Sequence, residues 1–557
     1  MKKPKNTLLQ QLIGSLNKEI HDYQMTKEAE NPGRYNRREF VTHLAKDALG
    51  LGLILSLPSF VTACKRDTKK PITTDTDTDS DNPPILDVAI LGGGVAGLNC
   101  ANHLLGSGLN FTVFEASKRL GGRILTHYND SLQLGIFPEF GGDFIDSTHA
   151  DMLALAKEFK LNTIDLEAER KERKLVGDIF YFDNRKISEK EIIKEFKKIV
   201  PKIAKDAVSL GENYDTPEAK ILDNTSLEEY IKGLKCKQWM KDLLMNAYVS
   251  EFGLDCSEQS AINFLDMIDT STGNGFHIFG DSDERYRIEG GNSKIIEKLT
   301  EKVGEDKIER LYEVAEINEN TDGNYQIVFT NGREYLAKNI VCTIPFTILR
   351  KLKINLKNMS PEKRKCIDEL GYGMNTKLVL GYEGSPWSEK PNSATGHLYS
   401  TDIVNGWDGS HTKTENNKNS AYICFFGGKY SMDRSNESFK NPMAPPTHVW
   451  RTELPQESVD KAVGQLDHIF IGSKKKFLNK HVFVNWIDYP YTHGSYSCYK
   501  KGQWTTIAGL EIAPVGNFYF AGEHCSRDFQ GYMNGGAETG RRAAESLIAT
   551  LKKSKSL

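Results

Sequence analysis

The sequence predicts an α/β protein in which one sheet domain is built from separate segments of the chain, beside a second part of mixed sheet and helices. A buried apolar strand over residues 86–91 runs into a glycine turn and a helix, and a second strand follows over residues 110–115. Near the other end of the chain, a strand over residues 517–521 precedes another glycine-rich entry into a helix. Strands and helices in this order favour a parallel sheet.

The first glycine turn has the spacing of a dinucleotide-binding fingerprint. Gly92, Gly94 and Gly97 form G-x-G-x-x-G directly after the strand. The first glycine permits a tight turn, the second lets the backbone approach a pyrophosphate, and the third lets the helix pack closely on the strand. The N–H groups and dipole of the new helix, which begins near Val95 and Ala96, then face the phosphates. The turn therefore predicts a Rossmann-type domain.

An acidic residue and a glycine pair that follow the turn indicate which kind of dinucleotide binds. Glu115 ends the second strand about 20 residues after the turn, where a carboxylate accepts hydrogen bonds from a ribose hydroxyl. Gly121-Gly122-Arg123 follows, a combination typical of flavin proteins. The turn over residues 137–145 adds an acid, two glycines and an aromatic residue, which suits backbone N–H groups facing a cofactor. The alternative is that Glu115 is a solvated strand end and Arg123 a surface charge.

Length, charge and cysteine content exclude several classes of protein. The chain has 557 residues, 39% of them hydrophobic, which suggests about two to four domains, or two large ones with intertwined segments. A net charge of −3 gives no electrostatic case for binding nucleic acid. The nine cysteines form no C-x-x-C pair and no cluster with histidine at metal-ligand spacing, so no metal site and no disulfide framework are predicted.

The first 84 residues have the features of a targeting segment and a tether. Arg37-Arg38 precedes an apolar run over residues 48–63, which is shorter than the roughly 20 residues of a membrane-spanning helix. Small residues before Cys64 match a bacterial lipoprotein processing site, so residues 1–64 are predicted to be a twin-arginine, lipoprotein-like signal peptide. The alternative is an uncleaved amphipathic helix with a chance arginine pair. Residues 65–84, polar and rich in Thr and Asp, are predicted to be a flexible linker.

The middle of the chain changes from helical to β character. From Met152 to about Tyr286 the apolar residues fall at helical spacing, with helices expected over residues 189–203 and from Ser226 to 234. This region is predicted to be helical and to cover the sheet domain. Further strands are predicted over residues 308–317, 325–329, 334–337 and 340–344, with a hairpin turn at Asn331-Gly332, and strands of a second sheet over residues 378–382, 421–426 and 481–486.

The closing segment supplies the second strong motif. Phe520-Ala521-Gly522-Glu523 ends a strand, and Gly531-Tyr532-Met533-Asn534-Gly535 enters a helix whose N-terminus favours negative charge. With the first turn, Glu115, Gly121-Gly122-Arg123 and Glu289-Gly290-Gly291, these residues resemble the flavin-containing amine oxidase family, here in a bacterial exported form. Its members include monoamine oxidases, polyamine oxidases and L-amino acid oxidases. The similarity spans about residues 85–551.

The resemblance implies a domain organisation and a set of cofactor contacts. Residues 85–150, 287–345 and 500–557 are expected to form the FAD-binding domain, and residues 151–286 and 346–499 the substrate-binding domain of mixed sheet plus helices. The cofactor-binding residues that it implies are Gly92, Gly94, Val95, Ala96, Gly97, Glu115, Ala116, Arg123, Gly141, Gly142, Asp143, Phe144, Val314, Glu523, Tyr532 and Met533.

The resemblance also assigns three residues to the chemistry. Lys377 matches a lysine that holds a water against flavin N5, where an ammonium assists oxygen reduction. The alternative is a surface lysine at a strand end. Tyr496 and Tyr532 match the two aromatic residues that flank the substrate in monoamine oxidases, where electron-rich ring faces favour a C–N group. For Tyr496 the alternative is core packing.

Two departures from the family pattern bear on the cofactor and the substrate. Some monoamine oxidases bind flavin through a cysteine just before the first tyrosine; here that residue is Ser495, and Cys498 lies three residues after it, so non-covalent FAD is expected. L-amino acid oxidases hold the substrate carboxylate with an arginine where this chain has Phe144, which favours an amine as substrate. Another arginine from the helical region is the alternative clamp.

The resemblance implies an FAD-dependent oxidase of an amine that transfers a hydride from the α-carbon to flavin N5 and then reduces O2. The products are an imine or aldehyde, ammonia or an amine, and hydrogen peroxide. No general base is evident in the sequence, and none is needed if the amine enters unprotonated. The alternatives are an L-amino acid oxidase or monooxygenase-like enzyme, an FAD-dependent dehydrogenase or desaturase of a non-amine substrate, and a non-catalytic exported flavin-binding protein. A lipid on Cys64 would hold the enzyme on a membrane outside the cytoplasm.

Overall fold

The computed structural model describes residues 85–128, 132–273, 275–410, 418–440 and 452–555. The predicted signal peptide, with Arg37, Arg38 and Cys64, and the predicted linker over residues 65–84 lie outside the described residues. Those assignments therefore stay predictions. In the described part of the chain, no helix is long and apolar enough to cross a bilayer, and no group of three or more metal-ligating side chains comes together.

The strands are numbered in chain order. They are β1 (Ile85–Leu91), β2 (Phe111–Glu115), β3 (Thr163–Asp165), β4 (Ile179–Phe182), β5 (Arg185–Ile187), β6 (Tyr286–Ile288), β7 (Ile308–Arg310), β8 (Val314–Glu319), β9 (Tyr325–Phe329), β10 (Glu334–Cys342), β11 (Lys353–Asn355), β12 (Thr376–Glu383), β13 (Leu398–Ser400), β14 (Val404–Asp408), β15 (Asn419–Phe426), β16 (Phe439–Lys440), β17 (Thr452–Glu453), β18 (Phe477–Asn485) and β19 (Phe518–Phe520).

The α-helices are numbered in the same way. They are α1 (Val95–Leu104), α2 (Ala150–Glu158), α3 (Leu166–Arg173), α4 (Glu189–Phe196), α5 (Val200–Ser209), α6 (Pro217–Asn224), α7 (Leu227–Gly233), α8 (Gln238–Phe252), α9 (Ala261–Met267), α10 (Ser293–Val303), α11 (Phe346–Leu349), α12 (Pro361–Glu369), α13 (Gly428–Glu437), α14 (Gln456–Ile469) and α15 (Met533–Lys555).

The first sheet joins the two ends of the described chain. Its order is β11-β8-β9-β10-β1-β2-β7, and β19 pairs with the second half of β10. The strands β19, β10, β1, β2 and β7 run parallel to their partners, while β8, β9 and the first half of β10 are antiparallel around the predicted hairpin turn. The predicted α/β fold is therefore confirmed.

Helices cover both faces of this sheet because its strands alternate between two apolar faces. Ile90 and Val113 point to the side of α1, α10 and α15, while Leu91 and Phe114 point to the side of α11 and α12. The helices α1 and α15 cross closely: a Cβ on Gly540 would lie 2.1 Å from the Ala96 carbonyl oxygen. This crossing brings the N-terminal ends of both helices to the same edge of the sheet.

The second sheet has nine strands in the order β16-β17-β18-β12-β15-β14-β13-β4-β5. The central strand β12 packs Leu378 and Leu380 against α14 on one face, and Val379 against Phe140 and Ile423 on the other. Helices α4 to α9 form a separate apolar cluster beside it. This sheet and these helices form the second part of the protein, for which the sequence predicts a mixture of strands and helices.

The structure departs from the predicted elements at several places. Residues 152–286 are not wholly helical, because β4 and β5 form a hairpin within them. Asp183 and Asn184 make its tight turn, and both have the positive φ that Asp and Asn tolerate there. The predicted helix over residues 189–203 is interrupted between α4 and α5. The helix start at Ser226 is confirmed as a capping box with Glu229.

The predicted strand over residues 308–317 is two strands that lie far apart in the first sheet, β7 at one edge and β8 next to the other edge strand, β11. β7 pairs with β2, and β8 pairs with β9, with a break at Leu311, which has a φ of 65°. The strand β11 also belongs to this sheet, although its residues fall in the predicted substrate part. The exact division of the chain into domains stays a prediction.

Candidate active site

One cavity of about 320 Å³ extends from the carboxyl end of β1 to the second sheet. The N-terminal residues of α1 and α15, Val95 and Met533, both line it. Neither helix has an acidic residue in its first turn, so no side chain of those turns compensates the positive helix end. All the predicted site residues line this cavity except Gly97.

Gly97, the third residue of α1, has a packing role. A Cβ at this position would lie 1.9 Å from the carbonyl oxygen of Gly92. Gly92 itself has a φ of 112°, and a Cβ there would lie 2.3 Å from the Thr343 hydroxyl oxygen. In contrast, the nearest atom to a Cβ on Gly94 would be 3.9 Å away. Gly94 therefore leaves open space beside the cavity, while the other two glycines permit close backbone contacts.

Glu115 is held in place by backbone donors at the end of β2. The N–H of Gly93 donates to Oε2 and the N–H of Ser117 donates to Oε1, each at 2.8 Å. These bonds tie the carboxylate to the glycine turn. A carboxylate oxygen has two lone pairs, so each oxygen retains an acceptor position toward the cavity for a hydroxyl.

Arg123 and Glu523 form an ion pair in the cavity wall. Arg123 Nη1 donates to Glu523 Oε1 at 2.7 Å and to the carbonyl of Ser495 at 2.8 Å. The other oxygen of Glu523 accepts from the Ser497 hydroxyl at 2.6 Å and from the N–H of Gly531 at 2.9 Å. Burial opposes ionisation of Glu523, but Arg123 and these donors outweigh it and lower its pKa.

Lys377 lies in the interior, 4% exposed, so the alternative of a surface lysine is wrong. Its Nζ donates to the carbonyls of Glu139 at 3.0 Å and Gly141 at 2.8 Å, and lies 3.4 Å from Asp143 Oδ2. Burial lowers the pKa of Lys377, and the attraction of Asp143 opposes that shift. β12 thus delivers an ammonium to the cavity wall, where its predicted role with a water molecule stays a prediction.

Asp143 joins several groups of the cavity wall. Its Oδ2 accepts from the indole N–H of Trp407 at 2.8 Å, and its Oδ1 lies 2.8 Å from Arg287 Nε. Arg287 is 3% exposed, donates to the Asp408 carbonyl at 3.0 Å, and places its guanidinium 4.6 Å from the centre of the Phe144 ring. Phe144 lines the cavity and Arg287 does not, so the Phe144 ring separates this arginine from the cavity.

Tyr496 and Tyr532 are both held by the last turn of α8. The Tyr532 hydroxyl donates to Glu251 Oε1 at 2.6 Å, and the Tyr496 hydroxyl donates to the Ser250 carbonyl at 3.3 Å. Both tyrosines line the cavity, and Gly531 lies against the Tyr496 ring. The structure brings together the two predicted aromatic residues, and consecutive residues of one helix fix their hydroxyl groups.

Sequence reasoning missed three carboxylates in the cavity wall. Asp146, Glu251 and Glu284 all line the cavity. Burial is the main cause that raises their pKa values, to about 6 for Asp146, about 7 for Glu251 and about 8 for Glu284, and repulsion from neighbouring carboxylates adds to each shift. No motif marks these residues, because they come from separate segments: Asp146 follows the turn over residues 137–145, and Glu251 and Glu284 lie far apart in the region predicted to be helical.

No cysteine lines the cavity in the described part of the chain. Ser495 lies at the position next to Tyr496, and its hydroxyl donates to Asn375 Oδ1 at 2.5 Å. Cys498 is buried away from the cavity, where its sulfur lies 3.4 Å from Asn263 Nδ2. Burial raises the pKa of Cys498 above its ordinary value, so it is a thiol at neutral pH.

The residues present fit FAD. The glycine turn with its open space at Gly94 and the carboxylate of Glu115 suit the dinucleotide part. The helix start at Met533 and the Lys377 ammonium suit a ring system that gains negative charge. The Arg123–Glu523 ion pair supplies fixed charges to the wall of the same cavity.

The chain is similar in sequence to known proteins. The family model for flavin containing amine oxidoreductase matches residues 95–548. Amine oxidase B, flavin-containing, from Canis lupus familiaris is 25% identical over 491 residues, which cover 84% of this chain and 87% of that protein. Its counterpart from Homo sapiens is 25% identical over 486 residues, with the same coverage of both chains, 84% and 87%.

Solved structures share the fold. Cyclohexylamine oxidase from Brevibacterium oxydans superposes with a TM-score of 0.67 at 20% identity, covering 84% of this chain and all of that one, 100%. Wild-type putrescine oxidase bound to putrescine superposes with a TM-score of 0.68 at 17% identity, covering 84% of this chain and 99% of that one.

Proposed function

Since the chain belongs to the family of flavin-containing amine oxidoreductases and is an FAD-dependent amine oxidase, we propose that its substrate is a small amine without a carboxylate, and that the enzyme is exported and lipid-anchored. FAD supplies the chemistry of hydride acceptance from the α-carbon and of electron transfer to O2. The protein binds and orients the amine, and its charges favour some substrates over others.

The observation that carries the substrate proposal is the charge of the cavity wall. Its arginines and lysine in the described residues are Arg119, Arg123 and Lys377, and all of them are engaged. Arg119 donates to backbone carbonyls, with 2.6 Å to that of Gly122, and Arg123 is paired with Glu523. Lys377 is taken up by two carbonyls and a carboxylate. This leaves no clamp for a substrate carboxylate, which disfavours an amino acid.

The cavity wall also offers the substrate carboxyl groups, which are negatively charged when ionised. Asp146, Glu251 and Glu284 line the same cavity as the two tyrosines. Carboxylates attract an ammonium and repel another carboxylate, more strongly in a cavity than in water. The wall around Tyr496 and Tyr532 therefore favours a cation over a zwitterion.

A matched pair of substrates tests this proposal. Phenylethylamine and phenylalanine differ only by the carboxylate, so each is mixed with the oxidised enzyme without oxygen and the flavin absorbance is followed. We expect the amine to bleach the flavin at least about 10-fold faster, the factor that about 1.4 kcal/mol of differential binding produces. Faster bleaching by the amino acid would contradict the proposal. Admission of air should then release hydrogen peroxide; bleaching without peroxide would favour a quinone-linked dehydrogenase.

Export and anchoring rest on the sequence of the first 84 residues. Arg37-Arg38, the apolar run and Cys64 support the twin-arginine route, which carries folded proteins and so allows FAD to bind before export. We expect Cys64→Ala to abolish labelling of the protein by an alkyne fatty acid in cells. Normal labelling of Cys64→Ala would contradict lipidation. The double variant Arg37→Lys, Arg38→Lys should retain the unprocessed chain in the cytoplasm.

A further inference from the structure

We propose that Glu251 is the proton acceptor that converts the bound substrate ammonium into the neutral amine. This inference rests on the proposed function, since it concerns an amine in the same cavity. Alkyl ammonium groups have pKa values of about 10.4, so almost all of the substrate arrives protonated at neutral pH. A protonated nitrogen has no lone pair to support loss of a hydride from the neighbouring carbon, and a proton must leave first.

The position of Glu251 is suited to this step. It lies in the last turn of α8, lines the cavity, and accepts the Tyr532 hydroxyl at 2.6 Å. Among the described residues, only Tyr532 donates a hydrogen bond to this carboxylate. A carboxylate accepts at both oxygens, so Oε2 and a second lone pair of Oε1 remain for an ammonium that lies beside Tyr532.

The groups that face Glu251 keep its basicity high. Asp146 repels its negative charge, and Glu284 lines the same cavity. The other titratable groups within electrostatic range of Glu251 are the tyrosines Tyr248, Tyr399, Tyr496 and Tyr532. Next to Glu284 lies His397, with 3.7 Å between His397 Nε2 and Glu284 Oε2 and 3.0 Å between its Nδ1 and Asp178 Oδ1. Burial and the repulsion from Asp146 raise the pKa of Glu251 to about 7, against the hydrogen bond from Tyr532.

A pKa near the working pH suits a proton acceptor, because the group is ionised before the step and basic enough to take the proton. In the step, one N–H bond of the ammonium breaks, an O–H bond forms on Glu251, and the electron pair stays on nitrogen. That lone pair then forms the C=N bond as the α C–H bond gives up its hydride. The proton on Glu251 balances the one that peroxide formation consumes, so the carboxylate is restored in each cycle.

The rival explanation is that Glu251 only positions Tyr532. Glu251→Gln separates the two roles, because the amide oxygen still accepts the Tyr532 hydroxyl but cannot take a proton. Glu284→Gln is the matched comparison: it removes a carboxylate from the same cavity wall and leaves Glu251 in place. Asp242→Asn, in the same helix but away from the cavity, controls for stability.

The first experiment measures the pH dependence of anaerobic flavin reduction at low amine concentration. In the wild type we expect the second-order rate constant to rise through about pH 7 and then to stay level up to the pKa of the amine. In E251Q we expect it to rise about tenfold per pH unit up to about pH 10.4, because only the free neutral amine reacts. E284Q should keep the wild-type profile, because Asp146, whose repulsion raises the pKa of Glu251, is intact in this variant. An E251Q profile with the wild-type shape would overturn the proposal.

The second experiment needs no turnover. A tertiary-alkyl amine lacks an α C–H bond and binds without reaction, so calorimetry in buffers of different ionisation enthalpy counts the protons released on binding. At about pH 8.5, below the amine pKa of about 10.4, we expect no release from the wild type and about one proton per amine from E251Q. Release of one proton by both proteins would mean that the wild type also selects the neutral amine, and would overturn the proposal.

The two proposals fail in different ways. If no amine bleaches the wild-type flavin, the proposed function fails. If amines bleach the wild type and E251Q with the same pH profile, the function stands and the role of Glu251 fails.

Discussion

Arg123 and Glu523 lie 400 residues apart in the sequence and form an ion pair with 2.7 Å between Nη1 and Oε1. The arginine side chain is 23% exposed and the glutamate side chain 7%. The pair joins the segment that follows the first glycine turn to the segment that leads into α15. An ion pair thus links two segments of the cavity wall that are far apart in the sequence.

We expect Arg123→Ala to lower both stability and flavin retention. Removal of one partner leaves the Glu523 carboxylate buried without its counter-charge, and breaking such pairs costs roughly 3–5 kcal/mol. The measurements are the denaturant midpoint and the fraction of flavin retained after gel filtration. Arg123→Lys keeps the charge and should lose less on both scales; equal losses in the two variants would contradict a role for the charge itself.

We expect Gly97→Ala to destabilise the protein by at least about 1–3 kcal/mol, because its Cβ has no room and the backbone must move. Gly464 is the matched control. It also lies inside a helix, α14, and a Cβ there meets nothing within 4 Å. Gly464→Ala should stabilise the protein by about 0.5–1 kcal/mol, the helix preference of alanine over glycine. Urea unfolding compares the two, and a neutral Gly97→Ala would refute the close-packing account.

We expect Lys377→Met to slow reoxidation of the reduced flavin by O2 by about 100-fold, since loss of one preorganised charge-stabilising group typically has this effect. Reduction by the amine should change much less. Stopped-flow mixing of the reduced enzyme with oxygenated buffer measures it. Lys363→Met is the control: this lysine is also buried, with its Nζ donating to the carbonyls of Leu510 and Glu511, but it does not line the cavity. A similar slowing in Lys363→Met would contradict a specific role for Lys377.

We expect His524 to make the protein sensitive to acid. Its ring is 1% exposed, and neither nitrogen has a hydrogen-bond partner among the described residues. Burial lowers its pKa from the ordinary 6.5 to about 3, against the attraction of Glu523. The folded state therefore favours neutral His524, so its stabilising contribution is complete above about pH 6.5 and is lost as the pH falls toward 3.

The test compares the free energy of unfolding of the wild type and His524→Gln at several pH values between 7 and about 4, a range in which folded and unfolded histidines differ in protonation. The variant should lose less stability over this range than the wild type. His468→Gln, on the exposed side of α14, serves as the control and should follow the wild type. Parallel curves for all three proteins would show that burial of His524 has no part in acid sensitivity.

Prediction from the sequence succeeded where the physical requirement is local. The spacing of Gly92, Gly94 and Gly97 fixes a turn and a helix start within a few residues, and the Ser226–Glu229 capping box satisfies backbone groups in a single turn. It failed at the hairpin of β4 and β5, because a short aromatic run resembles a buried helix segment until its pairing with β13, a strand far along the chain, is known.

By itself, the sequence determined the family, the FAD site and the two ends of the cavity, since each depends on a short motif whose backbone geometry is set by neighbouring residues. Only the tertiary structure decided which side chains surround the substrate position. Glu251 meets Tyr532 across 281 residues, and Lys377 meets Asp143 across 234. Burial and proximity give these groups their charge states and reactivity, and both arise only when distant segments pack together.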